Sequence, residues 1–149
     1  MSATESPDDI LPDLDEPGSL PFWQGCAVGE LRVQRCVDCE LVTHPPRPMC
    51  PGCRSIEREW IATSGFGKIW SFINVHPPLL PAYSPLAPFP VIIVELEENP
   101  KIRFVGNLVA APGAPINSVA AASISIGQRV RVTFELVQDV TLPRWVLAD

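Results

Sequence analysis

Histidine is scarce here, with two copies in 149 residues. Both stand directly before prolines, at His44 and His76, and they lie far apart in the chain. A Cys-His or Ser-His relay therefore has little to be built from. No glycine-rich phosphate loop of the P-loop or Rossmann type occurs. No apolar run approaches the roughly 20 residues needed to cross a bilayer. The N-terminus also lacks the positive region and apolar stretch of a signal peptide. These absences argue against an enzyme working alone and against a membrane protein, and they predict a cytoplasmic location.

Basic residues are missing from residues 1–20, which hold six acids (Glu5, Asp8, Asp9, Asp13, Asp15 and Glu16). Setting that arm aside leaves eleven acids against eleven bases, so the net charge of −6 belongs to the arm. Nucleic-acid binders usually carry a basic footprint, because phosphate contacts dominate their affinity. Residues 30–60 instead match five arginines with five acids. The balance argues against a nucleic-acid role. Polar, acidic and broken by Pro7, Pro12 and Pro17, residues 1–20 are expected to be a disordered arm.

What the chain does have is cysteine in a pattern. Cys36 and Cys39 form one Cys-x-x-Cys pair, and Cys50 and Cys53 form another after ten intervening residues. Zinc accepts four thiolates tetrahedrally, and each tight pair offers two sulfurs from a single turn. Iron in a rubredoxin-like site competes for the same sulfurs. A pair of disulfides would suit a secreted protein, and a redox pair would need a βαβ context that is not visible. With four cysteines as ligands the shell is closed, so the metal is a structural staple and His44 is a packed or exposed ribbon residue. Cys26, in an apolar and glycine-rich stretch, reads as buried packing.

Residues 21–62 are expected to form a short helix followed by a metal ribbon. The helix starts at Pro21 and carries Phe22, Trp23, Cys26 and Ala27 on one stripe. It packs either on the protein's own core or, through Phe22 and Trp23, on a partner. Alternation over residues 31–35, 41–44 and 59–61 predicts the ribbon's strands. From residue 63 to 149 the pattern is β, with strands over 65–75, 91–96, 102–109, 129–137 and 143–147 and a turn of helix within 118–125. Five antiparallel strands in a partly closed barrel suggest an OB-fold, so the class is mainly β. The loop over residues 76–90 holds six prolines together with Leu79, Leu80, Tyr83, Leu86 and Phe89. Stiff and apolar at once, it reads as a lid or contact surface.

Several stretches together resemble a known family: Phe22-Trp-Gln-Gly with the following Gly-Glu-Leu, the paired Cys-x-x-Cys around Pro-Pro-Arg-Pro, and Gly-x-Ile-Trp-Ser-Phe. Val-Ile-Ile-Val-Glu-Leu, Gly-Asn-Leu-Val and Ile-Gly-Gln-Arg-Val complete the set. In this order they look like the zinc-ribbon/OB-fold family called domain of unknown function 35, over nearly everything from residue 21 on. The resemblance implies an N-terminal helical element, a rubredoxin-like ribbon holding one structural zinc, and an OB-fold. It also implies an accessory subunit beside thiolase-superfamily enzymes: thiolases, hydroxymethylglutaryl-CoA synthase-like proteins or steroid side-chain aldolases. The partner would supply catalysis within a hetero-oligomer, and the small subunit would scaffold it and help hold acyl-CoA. On that reading Arg47, Lys68 and Arg103 are candidates for the CoA phosphates, and Tyr83 and Phe89 for pantetheine. Glu40 and Arg54 depart from the glycine that often follows a zinc knuckle, and Ile73 replaces a frequent threonine. A single-stranded nucleic-acid module remains the alternative, since ribbons and OB-folds both serve that purpose.

Overall fold

A computed structural model describes residues 10–149 of the chain. Residues 1–9 of the expected disordered arm lie outside the described residues. From Ile10 the path is defined, and its end is set by Glu16, whose carboxylate accepts amide hydrogen bonds from Gly18 (2.8 Å) and Ser19 (2.7 Å). Helix α1 (Leu20–Ala27) then begins, with Pro21 in its first turn. Proline presets the helical φ where no amide donor is needed. Gly29, at φ 78°, turns the chain out of the helix.

Phe22, Gly25 and Cys26 are the buried residues of α1, and the helix packs on its own chain, against the strands over residues 32–36, 58–62 and 140–147. Gly25 permits this approach: a Cβ there would meet the Arg32 side chain at 2.7 Å and the Glu30 carbonyl oxygen at 2.9 Å.

Strands β1 (Arg32–Cys36), β2 (Val42–Thr43) and β3 (Arg58–Ala62) form an antiparallel ribbon in the order β2-β1-β3. The second sheet contains β4 (Phe66–Val75), β5 (Phe89–Leu96), β6 (Arg103–Asn107), β7 (Arg129–Val137) and β8 (Val140–Leu147), in the order β6-β5-β4-β7-β8. A parallel bridge between Leu108 and Trp145, with the Val109 amide donating to the Trp145 carbonyl at 2.8 Å, joins the two edges into a barrel. This is the OB-like architecture expected.

Strand ends differ from expectation most in three places. β5 begins at Phe89 instead of residue 91, so the last two residues of the expected 76–90 loop, Phe89 and Pro90, belong to the strand and pair with Val75 and Asn74. β6 stops at Asn107 because Leu108 and Val109 leave β5 to close against β8. β8 starts three residues before Pro143, and the proline is accommodated opposite Phe134 on a strand that ladders on only one side. Of the helical turn expected within residues 118–125, only Ala121–Ser123 is helical, as a 3₁₀ turn.

One cluster of buried residues runs through all three parts. Phe22 and Cys26 come from the helix, Leu31 and Val33 from the ribbon, and Ile69, Ile92, Val94, Leu96, Phe104 and Trp145 from the barrel. Burying a Leu, Ile or Phe side chain contributes about 1.5–3 kcal/mol, so this shared core fixes the ribbon and helix against the barrel. Among the described residues no helix is long and apolar enough to cross a membrane.

Candidate functional site

The two cysteine pairs sit in matching turns. Cys36 ends β1, its carbonyl accepts the Glu40 amide at 2.9 Å, and its sulfur receives the Cys39 amide at 3.5 Å. In the second turn the Cys50 carbonyl accepts the Arg54 amide at 2.9 Å and its sulfur receives the Gly52 amide at 3.4 Å. Glu40 (φ 65°) and Arg54 (φ 67°) adopt the left-handed conformation that a glycine would take more readily. The knuckle geometry is thus made without glycine at either position.

These turns bring Cys36 Sγ to 3.5 Å from Cys53 Sγ and Cys39 Sγ to 3.5 Å from Cys50 Sγ, and all four sulfurs lie within 4.8 Å of one another. A tetrahedron with metal–sulfur bonds of about 2.3 Å has sulfurs about 3.8 Å apart. None of the five cysteines is in a disulfide. The donor set and its dimensions fit one structural zinc held by Cys36, Cys39, Cys50 and Cys53. Amide donors of Cys53 and Gly52 lower the Cys50 pKa to about 6 and that of Cys39 lowers Cys36, whereas at Cys39 and Cys53 the amides of Leu41 and Ser55 are outweighed by the adjoining sulfurs and burial, which leave both thiols raised.

A buried polar cluster positions the connection between the turns. Gln34 Oε1 accepts the Arg47 amide and Arg58 Nη2, both at 2.8 Å, and the same Nη2 reaches Thr43 Oγ1 at 2.6 Å. Arg58 therefore ties the three ribbon strands to the Pro-Pro-Arg-Pro segment. Sequence reasoning missed it, because one arginine among several gives no signal before the register is known.

The candidate acyl-CoA residues are not gathered at one place. Lys68 and Arg103 flank Glu95 on one exposed row, in register across β4, β5 and β6. Arg103 lies over the Trp70 ring, 3.8 Å from its centroid. Phe89 begins β5, six positions from Glu95, which at strand rise is about 20 Å away. It is buried and meets Tyr83 at 6.1 Å between centroids. Arg47 is exposed on the ribbon beside a depression shared with Gln34 and Glu16. Tyr83 borders a separate cleft whose walls include Ile10, Leu11, Leu86, Leu142 and Arg144. Arg144 also went unnoticed in the sequence; it bonds Glu135 at 3.1 Å and Asn107 at 3.0 Å.

The two aromatic anchors of α1 part company. Phe22 is buried, stacked 6.2 Å from Phe104 and edge-on to Trp23 at 4.9 Å, while Trp23 stays half-buried. Both border a groove of about 460 Å³ that Arg103 also lines. His44 forms part of its floor, 4.0 Å from Phe104 between ring centroids, and burial lowers its pKa to about 4. Cys26 is buried as expected; burial raises its pKa to about 12, so the thiol keeps its proton at neutral pH.

A family model described as the ChsH2 C-terminal OB-fold domain matches residues 60–135, and one described as the ChsH2 rubredoxin-like zinc ribbon domain matches residues 23–56. The alpha subunit of a 3-oxo-4,17-pregnadiene-20-carboxyl-CoA hydratase from Mycobacterium tuberculosis is 34% identical over 149 residues, covering 97% of this chain and 44% of that protein. A probable enoyl-CoA hydratase alpha subunit from Thermomonospora curvata is 35% identical over 124 residues, covering 82% and 35%. The chain thus spans less than half the length of these two relatives. A DUF35 domain-containing scaffold protein from Methanocaldococcus jannaschii is 32% identical over 107 residues, covering 70% of this chain and 67% of that one. Among solved structures, a chain of the Ltp2-ChsH2(DUF35) aldolase superposes with a TM-score of 0.76 at 31% identity, covering 89% of this chain and 96% of that one.

Proposed function

This chain belongs to the ChsH2/DUF35 family of zinc-ribbon/OB-fold proteins, and from that premise we propose that it is a non-catalytic accessory subunit of a thiolase-superfamily acyl-CoA complex. Its part is to scaffold the catalytic partner in a hetero-oligomer and to help hold the acyl-CoA. The observation that carries this reading is the likeness, along almost the whole of both chains, to a component of an aldolase that also contains Ltp2. The metal centre is consistent with it. A closed tetrathiolate zinc supplies folding free energy and leaves no position for substrate. The four cysteines and the Gln34–Arg58 cluster hold the ribbon's shape, and the shared core passes that rigidity to the barrel.

Acyl-CoA contact is the less local part of the proposal. Lys68 and Arg103 are separated from Tyr83 and Phe89 by about the length of β5, so one extended ligand would run along the sheet or be completed by the partner's surface. Co-expression with a thiolase-superfamily protein from the same genome tests the assignment. Co-elution as a stable hetero-oligomer with one zinc per chain is the expected result. Separate elution of the two proteins, with zinc content intact, would overturn it.

A single-stranded nucleic-acid module has one observation in its favour, the exposed Trp70–Arg103 pair on an OB-fold sheet face with Lys68 nearby. Glu95 stands between the two cations and opposes a phosphate there. A salt titration with a labelled oligonucleotide separates the readings: tight binding that weakens steeply with salt would favour the nucleic-acid module.

A further inference from the structure

The groove of about 460 Å³ lies where helix, ribbon and barrel meet. Its walls are Trp23 from α1, Pro45 and Pro46 from the ribbon connection, and Val105 and Pro143 from the barrel. Its floor is the aromatic stack of Phe22, His44 and Phe104. Among the described residues Arg103 is the only cationic one lining it, and no carboxylate does. Burial keeps the His44 ring neutral at pH 7.

Arg103 has no ion-pair partner among the described residues; its guanidinium is turned onto Trp70. Beside the groove, the outward face of β4 and β6 exposes Trp70 (44%), Ile73 (62%) and Val105 (72%). An apolar patch continuous with a preformed groove marks an interaction site, and tryptophan and arginine are the residue types that most often dominate binding energy. Its cross-strand neighbour Glu95 stands beside Arg103 without pairing with it, so a groove whose described lining holds one cation and no acid is complementary to an apolar occupant that brings a carboxylate to Arg103.

We propose that this groove, with the sheet face beside it, is the docking surface for the thiolase-superfamily partner, which inserts an apolar side chain between Trp23, Pro46 and Val105 and presents a carboxylate to Arg103. The inference rests on the accessory-subunit reading above. It moves Arg103 from the CoA phosphates to the protein interface. It also explains why three separate parts of the chain share one core: a partner seated here touches helix, ribbon and barrel together.

The test is calorimetric titration of zinc-loaded variants with the co-expressed thiolase-superfamily protein. Val105→Glu and Arg103→Glu alter exposed groove residues, whereas Leu136→Glu and Ile56→Glu alter equally exposed residues (both 71%) on β7 and the ribbon. Zinc content and thermal unfolding confirm that each variant is folded. The expected result is a loss of about thirtyfold or more in affinity for the two groove variants, a smaller loss for Arg103→Lys, and little change for the other two. Wild-type affinity in both groove variants would overturn the docking surface while leaving the accessory role intact. Loss confined to Leu136→Glu or Ile56→Glu would overturn it by placing the interface elsewhere. No binding by the wild-type chain would remove the accessory role and this inference with it.

Discussion

Glu40 and Arg54 occupy equivalent places, each four residues after the first cysteine of its pair, each left-handed, and each donating its amide to that cysteine's carbonyl at 2.9 Å. Two unrelated side chains thus bear the same backbone strain so that four sulfurs can converge. A non-glycine residue in this conformation is destabilised by about 1–2 kcal/mol. Glycine relieves that strain but adds freedom to the unfolded chain. Glu40→Gly and Arg54→Gly are each expected to raise the stability of the zinc-loaded protein by about 0.5–1 kcal/mol, with unchanged zinc stoichiometry. Urea unfolding of the metal-loaded proteins measures this.

His44 gives the fold a sensitivity to acid. Burial lowers its pKa from the usual 6.5 to about 4. Between these values the unfolded chain binds more protons than the folded one, so the stability contributed above pH 6.5 is lost as the pH falls through about 4. The full term is on the order of 3 kcal/mol. Zinc thiolates also release metal in acid, a loss that His44→Gln shares with the wild type. Comparing the two at pH 7 and pH 5 isolates the histidine, and the drop in stability is expected to be smaller in His44→Gln.

Gly67 tests the packing of β4 on β5. A Cβ at this position would collide with the Glu95 carbonyl oxygen and stand 2.6 Å from Val94 Cγ1. Backbone must move to admit it, so Gly67→Ala is expected to destabilise by about 2–3 kcal/mol. Lys68→Ala, next to it but exposed, should stay within about 0.5 kcal/mol. Thermal unfolding of the pair checks the contrast.

The parts of this fold written in local pattern were legible from sequence. The Cys-x-x-Cys spacing marked the ligands, and clean alternation over residues 129–137 gave β7 with the same bounds as the structure. What was not legible depends on contacts between distant residues. The Leu108–Trp145 bridge that closes the barrel has no local signature, so β6 was expected to run on to residue 109. Pro143 obscured the beginning of β8, because proline argues against a strand until that strand is known to lie at a sheet edge. Arg58 and Arg144 gain meaning only once the register sets Gln34 and Asn107 beside them. The groove was half visible: Phe22 and Trp23 were expected either in the core or at an interface and Arg103 at a ligand, yet only the fold places all three around one depression.

Where the chemistry resides is measured most directly by acyl-CoA thioester turnover, assayed for the zinc-loaded chain alone, for its thiolase-superfamily partner alone, and for the two combined. No turnover is expected from the isolated chain, and turnover by the combined proteins is expected to fall away when zinc is stripped from the ribbon. Turnover of a CoA thioester by the isolated chain would contradict it.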